Sequence, residues 1–212
     1  MNTPIGLARR LRDGTWALHT SAERAGVMPD LLRGQLPVTG FVRMQRSLLA
    51  IYQALEAGLH AHAGHPLLAT LQLQPLARSA SLQADLAVLH GPLWATALPV
   101  ADAATAYADR LQALALQQPV LLAAHAYVRY LGDLAGGQAL RRVAQNAYGL
   151  SGDAGTCFFD FGTPAQVRQR SQQLRQALDA LPLDEAVAQA MTAEAQWAFG
   201  QHVRLFEELA SA

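Results

Sequence analysis

Apolar residues recur along this chain at intervals of three and four. Between 38 and 59, Phe41, Met44, Leu48, Ile51, Leu55 and Leu59 fall on one stripe. Val187, Met191, Ala198, Leu205 and Leu209 do the same between 184 and 210. That period belongs to helices with one face turned inward. The spacing predicts another helix over about 5–24, with Leu7, Leu11 and Leu18 inward, and others over 82–90, 101–117, 119–148 and 164–180. Breakers fall between them: Pro37, Gly64 with Pro66, Pro75, Gly91-Pro92, Pro99, Pro119, Gly149 to Gly155, Gly162 to Pro164, and Pro182. Alternating strand patterns and internal repeats are absent. An all-α bundle of more than four helices follows, as a single domain over 1–212 because no linker interrupts the chain.

One segment breaks the helical rules. Residues 125–147 read HAYVRYLGDLAGGQALRRVAQNA, with Tyr127, Leu131, Leu134 and Val143 continuing an inward face. Gly132, Gly136 and Gly137 sit in the middle, and each interior glycine costs a helix roughly 1 kcal/mol relative to Ala. Three of them predict a helix that bends readily. They serve either tight helix–helix contact or a flat ligand lying against bare backbone, which only glycine permits. Gly132 and Gly136, four apart, make one smooth patch. Asp133 stands beside it on an otherwise apolar run, where a carboxylate is expensive unless something uses it. Upstream, His19 in RLRDGTWALHTSAE has Glu23 one turn later. Glu23 can orient its ring in the way a metal-ligating imidazole usually needs, although a lone His beside an apolar face also occurs as a rim or core residue.

Composition narrows the chemistry. Half of the 212 residues are apolar (51%) and 15% are charged, enough for a real core. Sixteen basic and sixteen acidic residues cancel, which speaks against a broad grip on nucleic acid or an anionic membrane. Every basic residue is Arg; without Lys there is no Schiff-base or Walker-type lysine. One cysteine, Cys157, excludes an internal disulfide framework and Cys-rich metal sites, and it reads as a small buried residue. His60, His62 and His65 cluster near a turn without a further ligand type to make a zinc site. With no apolar leader and no membrane-length apolar run, a soluble cytoplasmic protein is expected.

At the two unusual segments the sequence resembles the heme oxygenase family. YLGDLAGGQ is similar to that family's glycine-rich distal-helix signature, with Ala135 where Ser is common, and HTSAE to its proximal-histidine segment. IYQALE at 51–56, DLAVLHGPLW at 85–94, AHAYVRYLGD at 124–133, Phe158-Phe159 and AFGQHVRLFEEL at 198–209 agree in order; the loops at 60–80 and 149–156 match poorly. The resemblance implies a heme slot between a proximal helix and a Gly-kinked distal helix. It also implies oxidative cleavage of heme to biliverdin, carbon monoxide and ferrous iron. Heme b is then both cofactor and substrate, O₂ the co-substrate, with no other metal. Electrons would come from a ferredoxin, flavodoxin or reductase, and a bilin acceptor is a further implied partner.

By matching position, His19 would be the axial iron ligand, oriented by Glu23. Gly132 and Gly136, with Gly137 beside them, would let the distal backbone approach the heme and bound O₂. Asp133 would hold a water that assists the iron-bound oxygen as a general acid. Tyr52 and Arg129 match positions of the distal water network. Arg12 and Arg175 would clamp the heme propionates, with Tyr127 adding a hydroxyl and Phe199 a wall. This disposition leans toward cleavage at the α-meso carbon. Trp16 replaces a common Lys, and His202 stands where Asn is frequent, either tuning proton supply or acting as a hydrogen-bonded core residue. A non-catalytic heme or bilin carrier of the same fold is the competing reading, but it would not need Asp133.

Overall fold

The computed structural model describes residues 6–211. Residues 1–5 and 212, including the start of the first expected helix and the ends of the expected domain, lie outside the described residues. Ten α-helices and no strand are found among them: α1 (Leu7–Glu23), α2 (Met28–Leu32), α3 (Val38–Ala61), α4 (Ser79–Leu89), α5 (Trp94–Ala97), α6 (Asp102–Gln117), α7 (Leu122–Ala126), α8 (Gly132–Tyr148), α9 (Pro164–Asp179) and α10 (Glu185–Ala210). The stripes expected on α3 and α10 are inward: Phe41, Leu48, Ile51 and Leu55, and Met191, Ala198 and Leu205, are all buried. They join one apolar cluster in which α3 packs chiefly on α6 and α4, and α1 on α10. Leu18, expected inward, is only half-buried.

Two short helices, α2 and α5, were not legible in the hydrophobic period. The expected 119–148 helix is interrupted. A 3₁₀ turn (Pro119–Leu121) leads into α7, and a π-helical turn (Tyr127–Leu131) separates α7 from α8. Gly132 has α-helical angles (φ −61°, ψ −48°), and irregular hydrogen bonding lies one turn earlier. A π turn inserts one extra residue per turn, which rotates the side chains that follow.

Helix ends are secured in two ways. α9 has a local capping box, Thr163 with Gln166, and Pro164 at its first position. Asp184 caps α10 by accepting from Val187 N at 2.8 Å. By contrast α1, α4 and α6 have no local side-chain cap. Distant carboxylates take their free N–H groups: Asp179 on Ala8 N (2.8 Å), Glu56 on Arg78 N (2.6 Å), and Glu208 on Asp102 N (2.7 Å) and Ala103 N (2.9 Å). Each bond meets the positive end of a helix and ties it to another element. After α1 the chain turns at Gly26 (φ +45°), where a Cβ would sit 1.8 Å from the Phe206 carbonyl oxygen; only glycine fits. That turn lays α2 over one end of the cleft described next.

Candidate active site

A cleft runs between α1 on one side and the π turn with α8 on the other. Its inner part, about 430 Å³, is walled by apolar side chains including Leu31, Met44, Leu48, Phe158 and Phe206. Its outer part, about 450 Å³, carries Arg9, Arg12, Thr15, Tyr127 and Arg175. Both parts share His19, Val128, Gly132, Ala135 and Phe199, so they form one slot that is apolar inside and basic at the mouth.

The glycines divide by role. A Cβ added at Gly132 or Gly136 would meet nothing within 4 Å. Their faces open onto the slot, so tight helix packing does not account for them. Gly137 differs: it is buried, and its Cβ would lie 3.4 Å from the Phe159 carbonyl oxygen. It is the packing glycine of the set and lines neither part of the cleft, contrary to its expected place on a ligand.

His19 faces these glycines from α1, with its side chain 43% exposed. Glu23 Oε1 is 3.8 Å from Nδ1, in ion-pair reach but too long for a hydrogen bond, so the orientation expected from Glu23 is only loosely imposed. Aromatic neighbours do more: Trp16 lies parallel to the imidazole (centroids 6.3 Å, planes 7° apart) and Phe199 meets it edge-on at 5.7 Å. With Nδ1 turned to Glu23, Nε2 is the nitrogen left for the slot.

Behind the glycine face lies a buried polar network. Tyr52, from α3 and fully buried, donates its hydroxyl to one Asp133 oxygen. Arg129 Nη2 donates to the other oxygen at 3.0 Å, Arg129 Nε to the Tyr52 oxygen at 3.1 Å, and Arg129 Nη1 to His202 Nε2 at 2.7 Å. Burial raises the Asp133 carboxyl above its ordinary value, and Arg129 and Tyr52 pull it back only in part. Burial also raises the Tyr52 hydroxyl, which therefore stays a donor. Arg129, Asp133 and His202 line the inner cleft, whereas Tyr52 reaches it only through Asp133.

At the mouth, Arg12 donates to the adjacent Asp13 (2.8 and 2.9 Å) and Arg175 to Ser171 Oγ (2.8 Å). These are weak local engagements at a solvent-facing rim, which an anion entering the mouth can replace. Trp16, 66% exposed, leaves a flat apolar ring there in place of a further cation.

Sequence reasoning missed several supports. Asp85, fully buried on α4, accepts from Cys157 N (2.7 Å) and Phe158 N (2.8 Å) and so fixes the Phe158–Phe159 wall. Cys157 itself is only partly buried. Tyr107 and His125 form a second network, with His125 Nδ1 3.0 Å from the Tyr107 hydroxyl and Nε2 3.3 Å from Glu194. Burial alone would raise the Glu194 carboxyl; hydrogen bonds from His125 and Arg110 outweigh it and bring it down to about 2. These partners lie 18 to 84 residues apart, so no local signal joins them. A separate cavity, about 600 Å³, opens between α3 and the turns after it, lined by Glu56, His60, His62 and Tyr130. It has neither a glycine face nor a cationic mouth. His62 Nε2 there bonds the Ala115 carbonyl at 2.7 Å.

An all-α fold with a histidine facing bare helical backbone across an apolar slot, a largely buried carboxylate behind that backbone, and arginines at the mouth suits a flat apolar ligand that carries anionic groups. The family follows from comparison: the heme oxygenase family matches residues 5–208, and the chain belongs to it. It is 36% identical over 205 residues to heme oxygenase 1 of Synechocystis, covering 97% of this chain and 85% of that protein. It is 38% identical to heme oxygenase 1 of Homo sapiens over 97% of this chain and 72% of that one. Among solved structures, the fold matches Synechocystis heme oxygenase-1 in complex with heme at a TM-score of 0.91 and 36% identity, over 98% of this chain and 93% of that one. Heme oxygenase-2 of the same organism, in complex with heme and NO, matches at 0.93 over 97% and 85%.

Proposed function

We propose that this protein is a heme oxygenase that cleaves heme to biliverdin, carbon monoxide and ferrous iron, using O₂ and electrons from an external donor such as a ferredoxin, flavodoxin or reductase. The observation that carries this reading is the open glycine face of Gly132 and Gly136 opposite His19, with the largely buried Asp133 side chain behind it. Bound heme supplies the iron that activates O₂ and the ring that is oxidised; the protein supplies placement, exclusion of water and protons.

His19 Nε2 would hold the iron, its ring flanked by Trp16 and Phe199. Arg12 and Arg175 would receive the two propionates at the mouth, with Tyr127 beside them, and would thereby set the rotation of the ring. This registration favours the α-meso edge. Gly132 and Gly136 present no side chain to the slot, so the backbone itself borders the ring there. Asp133, its pKa raised by burial, holds a water toward the slot and relays a proton through it. Tyr52 and Arg129 hold the two Asp133 oxygens in place. Among the described residues no helix is long and apolar enough to cross a membrane; a cytoplasmic enzyme that passes biliverdin to a bilin acceptor completes the reading. The presence of Asp133 and its supporting network favours it over a heme carrier, which needs only the slot and the ligand.

The test is turnover. Purified protein mixed with hemin and ascorbate in air is expected to lose its Soret band and yield biliverdin on chromatography, with the α isomer dominant. A Soret band that persists, with no bilin formed, would place the protein among carriers.

A further inference from the structure

We infer that His202 is a positioning residue: it acts as a fixed hydrogen-bond acceptor that holds the Arg129 guanidinium and, through it, the Asp133 carboxylate. The inference rests on the reading of Asp133 given above and assigns to His202 a role other than proton delivery or contact with heme.

The surroundings leave the imidazole one state. Nδ1 lies 2.8 Å from the Ala198 carbonyl oxygen, which can only accept, so Nδ1 carries the hydrogen. Nε2 lies 2.7 Å from Arg129 Nη1, which can only donate, so Nε2 presents its lone pair. A second proton would set one N–H against another, beside a positive charge, at a residue 3% exposed. The remaining groups facing the ring offer no relief. Tyr107 of α6 meets it edge-on at 5.3 Å, Phe206 of α10 lies at 6.0 Å, and the imidazole of His125 on α7 adds no negative charge. Burial and the Arg129 charge together hold the His202 pKa down at about 3.

Arg129 is thereby gripped at three points of its planar fork: Nε by Tyr52, Nη2 by Asp133 and Nη1 by His202. Tyr52 and Asp133 are themselves bonded to each other, so they can move together with the guanidinium. His202 is the member anchored to a helix backbone, through Ala198, and it fixes where the whole group stands relative to Gly132 and Gly136. A residue that presents no acceptor at the Nε2 position would release the Nη1 edge and let Asp133 drift from the slot.

Two arms test this. In the heme-free protein, nitrogen NMR of the imidazole is expected to give the Nδ1–H tautomer, unchanged between about pH 8 and 5, with the Arg129 Nε–H protected from exchange. His202→Leu is expected to speed that exchange at least about tenfold and to lower kcat about tenfold, with KM for hemin within about twofold. His202→Gln, whose Oε1 reaches the Nε2 position, is expected to restore both to within about threefold. An imidazole that titrates in that range, an Nε2–H tautomer, or a folded His202→Leu protein with wild-type exchange and kcat would overturn the inference. Should His202→Leu fail to fold, the tautomer and titration of the wild-type ring decide it. If instead the wild-type protein makes no bilin while the NMR result holds, it is the assignment of Asp133 that fails.

Discussion

A carboxylate inside an apolar wall is stable only where its oxygens are used, and both Asp133 oxygens are: one takes the Tyr52 hydroxyl, the other Arg129. Asp133 stands out in the sequence as an acid on an apolar helical run, and His19 as an imidazole with a carboxylate one turn later. Their partners were not legible, because Tyr52 is 81 residues from Asp133 and nothing local ties them. Gly137 was misread with its neighbours, since sequence cannot tell which face of a helix meets Phe159 and which meets open space. The residue-scale prediction is that Asp133→Ala keeps hemin affinity within about threefold while biliverdin yield falls at least about tenfold. Oxidation of added guaiacol with hydrogen peroxide should rise, because protons are no longer delivered in register with the ring. Assaying both products from one hemin-loaded sample checks this; an unchanged bilin yield would remove Asp133 from the chemistry.

At the scale of the element, the distal segment depends on two departures from ideal helix: the π turn over Tyr127–Leu131 and the bare face that follows it. The first was hidden, because a π turn has no hydrophobic period of its own and the flanks read as one continuous helix. The second was visible as composition but ambiguous in purpose. The start of α4, expected at 82 and found at Ser79, was blurred for a related reason: its cap is Glu56, a carboxylate from another element, so the local signature is missing. Gly136→Ala separates function from folding. Its methyl group would meet nothing in the protein, so the variant should be more stable by up to about 1 kcal/mol, the helix preference of Ala over Gly. The same methyl group projects into the slot, so hemin binding or turnover should weaken several-fold. Urea unfolding and a hemin titration on the same protein measure the two effects; a variant gaining stability with unaltered hemin binding and turnover would mean that the slot is not the binding surface.

At the scale of the molecule, the buried ionisable groups make stability depend on pH. His202 takes a proton near pH 6.5 when unfolded but only near 3 when folded, so stability falls as pH falls through that window. Glu194, held at about 2 in the fold against 4.5 otherwise, adds a loss in the same direction at lower pH. Asp85 and Asp133, raised by burial, act in the opposite sense. A comparison of wild type with His202→Gln cancels these shared terms. The slope of unfolding free energy against pH, between about 6 and 4, should be shallower in the variant by about 1.4 kcal/mol per pH unit, one proton's worth. Equal slopes would mean that His202 is protonated alike in both states. The all-helical class and six of the helices were readable from period and breakers alone, because burial of one stripe per helix is a property of the whole bundle.

The central claim is a flat ring held between His19 and the bare backbone of Gly132 and Gly136. Diffraction from crystals of the hemin complex tests it most directly. The account predicts iron bonded to His19 Nε2, the glycine backbone over the opposite face, and propionates at Arg12 and Arg175. Hemin ligated by another residue, or seated in the cavity beside Glu56 and Tyr130 with the slot closed, would contradict it.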